Sequence, residues 1–291
     1  GVLAIYYGLA CALWVQVATA NRLVRATVFA ACWTAAELAR TDVIVIYKGD
    51  AGYMTDQEKA GMRQALRRGI EQAQEAADVY ATIFPDFKAV SSNPLAVVYE
   101  MGGRRFMNLN GGPGYPINPS ISFFVGYDSE EEIRKTWDKL MEGGKALMPL
   151  DTYPWSAKYG WVADKYGVNW QLMMGHQSGT RIVPSLMFTQ HNAGKLKEAL
   201  AFYTSLFDAS AILAMSLYEK GEPDTEGNIK YSQILLNGSP FSAMESTGPH
   251  PFIFNEGVSF VITVDTQEEI DRYWDALVKE GQPGKCGWLK D

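Results

Sequence analysis

Ser122-Phe-Phe-Val-Gly-Tyr-Asp-Ser-Glu-Glu-Glu-Ile-Arg-Lys-Thr-Trp137-Asp-Lys-Leu140 returns later in the chain as Ser259-Phe-Val-Ile-Thr-Val-Asp-Thr-Gln-Glu-Glu-Ile-Asp-Arg-Tyr-Trp274-Asp-Ala-Leu277. Each copy opens with a run of apolar and β-branched residues, the pattern of a buried strand. Ser129 and Thr266 then stand as helix N-caps, with Glu132 and Glu269 at the capping-box spacing three residues on. Ile133, Trp137 and Leu140 follow on one helical face, and Ile270, Trp274 and Leu277 repeat them. A strand–helix unit is therefore present twice, and it decides the fold class: α+β, built by duplication.

The repeat extends outward from this unit in both directions. Upstream, Leu95 to Glu100 and Arg105 to Leu109 flank Met101-Gly-Gly-Arg104 as a β-hairpin, and Ile234-Leu-Leu, Asn237-Gly238 and Phe241-Ser-Ala-Met repeat it. Further upstream, Glu75-Ala-Ala-Asp-Val-Tyr80 is mirrored by Glu198-Ala-Leu-Ala-Phe-Tyr203 on amphipathic helices. The first helix is expected to start at the Thr55–Glu58 capping box and to stop at Pro85. Ile182 to Phe188 reads as the opening strand of the second domain, while that of the first is either Val43 to Tyr47, followed by an unusually long helix insertion, or absent. Downstream, Gly160-Trp-Val-Ala-Asp164 and a second strand from Val168 to Met173 form a closing hairpin. Gly287-Trp-Leu-Lys-Asp291 repeats only its first half, so the second domain is expected to be C-terminally truncated.

The domain plan is an apolar helical segment at 1–41, a first domain at 42–175, a linker at 176–180 and a second domain at 181–291. The 291 residues, 47% hydrophobic and 20% charged, have the composition of globular domains with real cores. A net charge of −7 without any basic stripe argues against nucleic acid as a partner. Three scattered cysteines without CxxC spacing fit a reducing, cytoplasmic setting and no structural zinc site. Residues 1–21 carry no charged side chain, and two readings of them stay open: a membrane helix, or an Ala-rich helix buried against the domains. Phe29 to Arg40 resembles a membrane segment of bacterial apolipoprotein N-acyltransferases, over the first forty residues and without that enzyme's catalytic part.

The motifs Phe-Tyr-Thr-Ser-Leu-Phe207, Leu109-Asn-Gly-Gly, Asn255-Glu-Gly-Val-Ser-Phe, Glu-Glu-Ile-Asp-Arg-Tyr-Trp-Asp-Ala-Leu277, Cys286-Gly-Trp-Leu-Lys-Asp and Lys165-Tyr-Gly-Val-Asn-Trp-Gln resemble the PhnB-like (3-demethylubiquinone methyltransferase-like) branch of the vicinal oxygen chelate superfamily, which includes glyoxalases and bleomycin-resistance proteins. The resemblance spans most of 75–174 and nearly all of 181–291. It implies tandem domains of paired βαβββ units, packed as a pseudo-dimer within the chain or as a homodimer, with a small-molecule pocket in each curved sheet.

Metal-using members of that superfamily hold a divalent ion that polarises the substrate. Matching strands places their ligand positions here on Asn108, Ser122 and Gln171, and on Pro184, Ala243 and Ser259. Only Gln171 is a ligand type the family uses, so no metal or other cofactor is expected, the alternative being one divalent ion bound elsewhere. Trp161 and Trp288 open the closing hairpins and join these six residues as candidate pocket positions. Glu245, on the same hairpin as Ala243, is expected to face solvent, and His176, His191 and His250 read as surface or loop histidines. Gly111-Gly-Pro-Gly114 lacks the Lys-Ser/Thr ending of a phosphate loop, and no Gly-x-Gly-x-x-Gly follows a strand to hold a methyl donor or dinucleotide. The expected function is small-molecule binding in the manner of bleomycin-resistance proteins. The alternative is a divalent-metal lyase, isomerase or dioxygenase of the same superfamily.

Overall fold

A computed structural model of the chain describes residues 2–5, 43–47, 72–93, 96–109, 116–175, 182–284 and 287–291. Four βαβββ-like modules are laid out in chain order. The first has β2 (Val43–Tyr47), a helix α1 over 72–83, then β3 (Lys88–Ser92), β4 (Ala96–Met101) and β5 (Arg104–Leu109). The second has β6 (Ile121–Tyr127), α2 (Glu130–Met141), β7 (Lys145–Tyr153), β8 (Ser156–Ala163) and β9 (Asn169–Met174). The third runs through β10 (Ile182–Thr189), α3 (Leu196–Leu206), β11 (Ala211–Leu217), β12 (Ile229–Leu236) and β13 (Ser239–Ser246). The fourth holds β14 (Val258–Ile262), α4 (Gln267–Val278), β15 (Gln282–Pro283) and β16 (Trp288–Lys290).

The local signals act as written in the sequence. Ser129 accepts from the Glu132 amide to start α2, and at Thr266 both halves of the capping box form with Glu269. Asn237 and Gly238 both take positive φ, 49° and 75°, the two left-handed residues that a tight hairpin turn requires.

Sheet assembly crosses the sequence halves. One eight-stranded sheet has the order β11-β12-β13-β10-β6-β9-β8-β7, and the other β15-β16-β1-β14-β2-β5-β4-β3, where β1 is Val2–Ile5. Each sheet thus joins one module from each half of the sequence, through the antiparallel pairs β6–β10 and β2–β14. Val43–Tyr47 is the opening strand of its module, parallel to β5 as β10 is parallel to β13.

The helical sides of both sheets meet in one core. Phe106, Tyr99 and Met101 from one sheet and Phe123, Trp170, Leu172 and Ile182 from the other are essentially inaccessible, packed with Tyr80 and Phe84, Ile133 and Leu196. Burying side chains of this size contributes about 1.5–3 kcal/mol each, which makes this seam the main source of stability.

Of the apolar N-terminal segment expected as helix, the described part is Val2–Ile5, and it is a strand; Gly1 and residues 6–42 lie outside the described residues. The start of the first helix, the Gly111–Gly114 loop and the 176–180 linker lie outside them as well. Among the described residues no helix is long and apolar enough to cross a membrane.

Candidate functional site

Side chains directly opposite each other in a sheet point to the same side, and neighbours along a strand point to opposite sides. In the sheet centred on β10 and β6, Ser185 pairs with Ser122 on one flank and with Ser242 on the other. Gln171, opposite Phe124 on β9, completes the row: its Nε2 donates to Ser122 Oγ at 2.7 Å. Its carbonyl oxygen accepts from the Tyr159 hydroxyl of β8. This row lies on the side of the sheet away from the helices.

Aromatic and thioether groups surround it. Phe124, Tyr159, Trp161 and Val183 form one cluster, with Met148, Tyr153, Met173, Met187, Tyr231 and Met244 packed against it. Tyr153 stacks on the exposed Trp155 with centroids 5.1 Å apart, and Tyr159 meets both rings edge-on. The open-side positions of the four central strands β13, β10, β6 and β9 carry no ionisable group. Burial pushes the Tyr159 hydroxyl well above its ordinary range and raises that of Tyr231, so both remain neutral hydrogen-bonding groups at physiological pH. Two donors on this face, the Ser185 hydroxyl and the Trp161 indole N–H, are buried and make no hydrogen bond within the described protein.

The structure brings Ser122, Trp161 and Gln171 together. It sets Pro184 and Ala243 on the opposite side: Pro184 pairs with the core residue Phe123, and Ala243 belongs to the central core. Asn108 also faces the helices, where it accepts from the Tyr99 hydroxyl and donates to the Ala73 carbonyl of α1. These three stand one residue away from Ser185, Ser242 and Met107, and with a side-chain period of two a one-residue offset reverses the face. Ser259 and Trp288 lie in the second sheet. There Ser259 pairs with Val45 and Val45 with Met107, giving a row of mainly apolar positions. Trp288 packs with Ala96, Met107 and Val261 beside it.

Glu245 faces inward and not solvent. It is 3% exposed, because residues 243 and 245 are two apart on one strand and share the inward side. Its carboxylate accepts from the Gly194 and Ile229 amides, which ties β13 to the loop before α3 and to β12. His191 is exposed on a single 3-10 turn, and His250 sits 2.9 Å from Ser246 Oγ with its basicity lowered by burial; His176 lies outside the described residues.

The donor set does not fit a superfamily-type metal ion. Three hydroxyls and one amide are neutral, serine is a feeble ligand for zinc or nickel, and both ends of the Gln171 amide are engaged. The corresponding row of the second sheet, Met107, Val45 and Ser259, is poorer still. Among the described residues no three of His, Cys, Asp and Glu gather as a metal site.

Among solved structures, a PhnB protein from Bacillus cereus, described as a 3-demethylubiquinone-9 3-methyltransferase, shares 27% identity over 47% of this chain and 99% of its own, with a TM-score of 0.36. A glyoxalase-related enzyme from Fulvimarina pelagi matches at 20% identity, over 47% of this chain and 88% of that one, with a TM-score of 0.30. Glyoxalase I from Zea mays matches at 14% identity over 84% of both chains, with a TM-score of 0.46. No curated protein matches the chain. The family model described as 3-demethylubiquinone-9 3-methyltransferase matches twice, over residues 69–173 and 180–291, the two halves of the repeat. With most of its length covered by that paired match, the chain belongs to the 3-demethylubiquinone-9 3-methyltransferase family, in its PhnB-like tandem-domain form.

Proposed function

We propose that this chain is a small-molecule-binding protein whose ligand lies on the helix-free face of the β10–β6 sheet and is held without a metal ion. The observation that carries the reading is the row Ser242, Ser185, Ser122 and Gln171, neutral hydrogen-bonding groups on four adjacent strands. The chemistry of the face selects the ligand class. A charged molecule would lose its hydration against four central strands without a counter-charge, so an uncharged one is favoured there. Phe124, Tyr153, Trp155, Tyr159 and Tyr231 offer ring faces and edges to a planar, aromatic body. Met173, Met187 and Met244 adapt to its outline. The Ser185 hydroxyl and Trp161 N–H would donate to an acceptor oxygen on it. Residues 42–175 and 181–291 act in this reading as two domains of one pseudo-dimer, with cytoplasmic ligand reaching the cup from solvent.

The test is a paired measurement on the whole chain, purified without chelator or histidine tag. Metal analysis is expected to find far less than one divalent ion per chain. Thermal-shift screening is expected to find uncharged planar aromatics with a carbonyl oxygen that raise the midpoint, and carboxylated analogues that do not. Ser185→Ala should reduce that response while leaving the unliganded midpoint nearly unchanged. One tightly held ion per chain, or a response confined to anionic compounds, would overturn the proposal.

A further inference from the structure

Beyond the serine row, the helix-free face continues along β10 and β13. Ser185 stands opposite Ser242, Met187 opposite Met244 and Thr189 opposite Ser246 in one unbroken register, so all six side chains share that face. Four residues of strand separate the first pair from the third, about 14 Å of floor with the two methionines between them. The segment after β13 walls off the far end. Thr189 Oγ1 donates to the Phe252 carbonyl at 2.7 Å, and Gln190 Nε2 donates to the His250 carbonyl at 2.9 Å. Pro249 and Pro251 flank His250 and restrict the backbone on both sides of it. The His250 ring is half-buried, 5.2 Å from that of Phe252, and its Nε2 meets Ser246 Oγ on the floor at 2.9 Å.

The groups around Ser246 decide which nitrogen of His250 carries the hydrogen. Against the raising effect of burial, hydrogen bonds from the Thr225 amide, from Thr247 and from the Ser246 hydroxyl hold the Asp224 carboxyl below its ordinary range. Ser246 Oγ also accepts from the Gly248 amide at 3.2 Å. A hydroxyl has one proton, and the adjacent carboxylate draws it, so Ser246 presents a lone pair to His250. Nε2 is then the N–H donor, in a chain from His250 through Ser246 to Asp224. Nδ1 is the acceptor nitrogen of the ring, and it has no hydrogen-bond partner among the described residues. Burial lowers the basicity of the imidazole, which keeps it neutral at neutral pH.

We infer that His250 is a second anchor of the cup, its Nδ1 accepting a hydrogen bond from an O–H or N–H at the far end of the ligand. The inference rests on the ligand-binding reading above and narrows it. Ser185 and Trp161 offer donors at one end of the floor, and His250 offers an acceptor at the other. The ligand class is therefore an uncharged, elongated, planar molecule with an acceptor oxygen near one end and a hydroxyl or amide donor at the opposite end. Met187 and Met244 lie under its middle. Because the two ends of the floor differ in chemistry, they also fix the direction in which such a molecule lies.

Two measurements on the full chain test the anchor. The first needs no ligand: long-range proton–nitrogen correlation spectra at neutral pH, with His250→Phe to assign the signals, should show His250 as the neutral Nε2–H tautomer. The Nδ1–H tautomer, or an imidazolium, would overturn the anchor whatever the cup binds. The second compares flavone with 4′-hydroxyflavone by calorimetric titration, the pair differing by one donor at the end remote from the carbonyl. The native chain should bind the hydroxylated compound about three- to tenfold more tightly, the worth of one neutral hydrogen bond. In His250→Phe, which keeps a ring beside Phe252, that ratio should fall to near one. Equal affinities in the native chain, or a ratio that survives the substitution, would overturn the anchor and leave the cup as a binding site. Failure of both compounds to bind would overturn the anchor as specified, and the broader aromatic screen then decides on the cup by itself.

Discussion

The Tyr80 hydroxyl donates to Asp164 Oδ2 at 2.7 Å, and by this bond helix α1 of the first module is tied to the turn after β8 in the second. The Trp170 indole shares the same carboxylate oxygen at 2.9 Å, while Oδ1 accepts from the Tyr166 and Val168 amides. The repeat forms the bond again: Tyr203 on α3 donates to Asp291 after β16. Each pair links a helix lying against one sheet to the closing hairpin of the other, so the two sheets are cross-tied at symmetry-related points.

Asp164 gives a pH prediction. Burial raises its carboxyl above the ordinary range, with the bonds from Trp170, Tyr80 and the two amides offsetting part of that effect. A folded-state pKa above the unfolded one means that ionisation weakens the fold. The contribution is complete below the ordinary aspartate value of about 3.9 and is lost as pH rises through the raised folded value. Comparison of thermal midpoints should therefore show the native chain gaining stability relative to Asp164→Asn as pH falls from neutral toward about 4. A difference that does not vary with pH, or that widens upward, would contradict the assignment.

Gln171→Ala should separate architecture from ligand response. The substitution strands the Tyr159 and Ser122 hydroxyls in a buried row, a loss of about 1–3 kcal/mol in urea unfolding. It should also abolish the thermal shift given by uncharged aromatics without altering metal content. A variant that keeps the full ligand response would remove Gln171 from the site.

Gly102 marks the joint between the sheets. It takes φ of 58° at the tip of the β4–β5 hairpin, and a Cβ there would lie 2.2 Å from Ile182 Cγ1 at the start of β10. Its carbonyl accepts from the Ile182 amide at 3.1 Å, and Arg104 Nε donates to the Ile182 carbonyl at 3.2 Å. Gly102→Ala should cost about 2–4 kcal/mol, combining left-handed strain with overpacking. Gly175→Ala has similar φ and open space around it, so about 1–2 kcal/mol is expected. Equal losses from the two variants would show that the joint carries no packing load.

The helix caps rank in a defined order. Thr266 Oγ1 accepts from the Glu269 amide and the Thr266 amide donates to the Glu269 carboxylate, whereas Ser129 Oγ accepts from the Glu132 amide. Thr266→Ala should cost about 1 kcal/mol or somewhat more, and Ser129→Ala the smaller amount of about 0.5–1. Chemical denaturation of both variants in parallel decides the order.

The sequence by itself determined the duplication, the family and most of the elements, β3, β7, β11 and the strand at Val2–Ile5 excepted, because strand runs, capping boxes and the Asn237-Gly238 turn act within about ten residues of chain. It also supplied three of the residues that meet on the neutral face, Ser122, Trp161 and Gln171. Only the tertiary structure decided their neighbours. Ser185 and Ser242 lie one position from Pro184 and Ala243, and pairing register, set across distant strands, alone tells which of two adjacent side chains faces the helices. Glu245 and Asp164 are likewise buried by partners far away in sequence. Which modules share a sheet was decided at the same level: β6 joins β10 and β2 joins β14 through long-range backbone pairing, and β1 enters beside β14, none of which hydrophobic periodicity along the chain can encode.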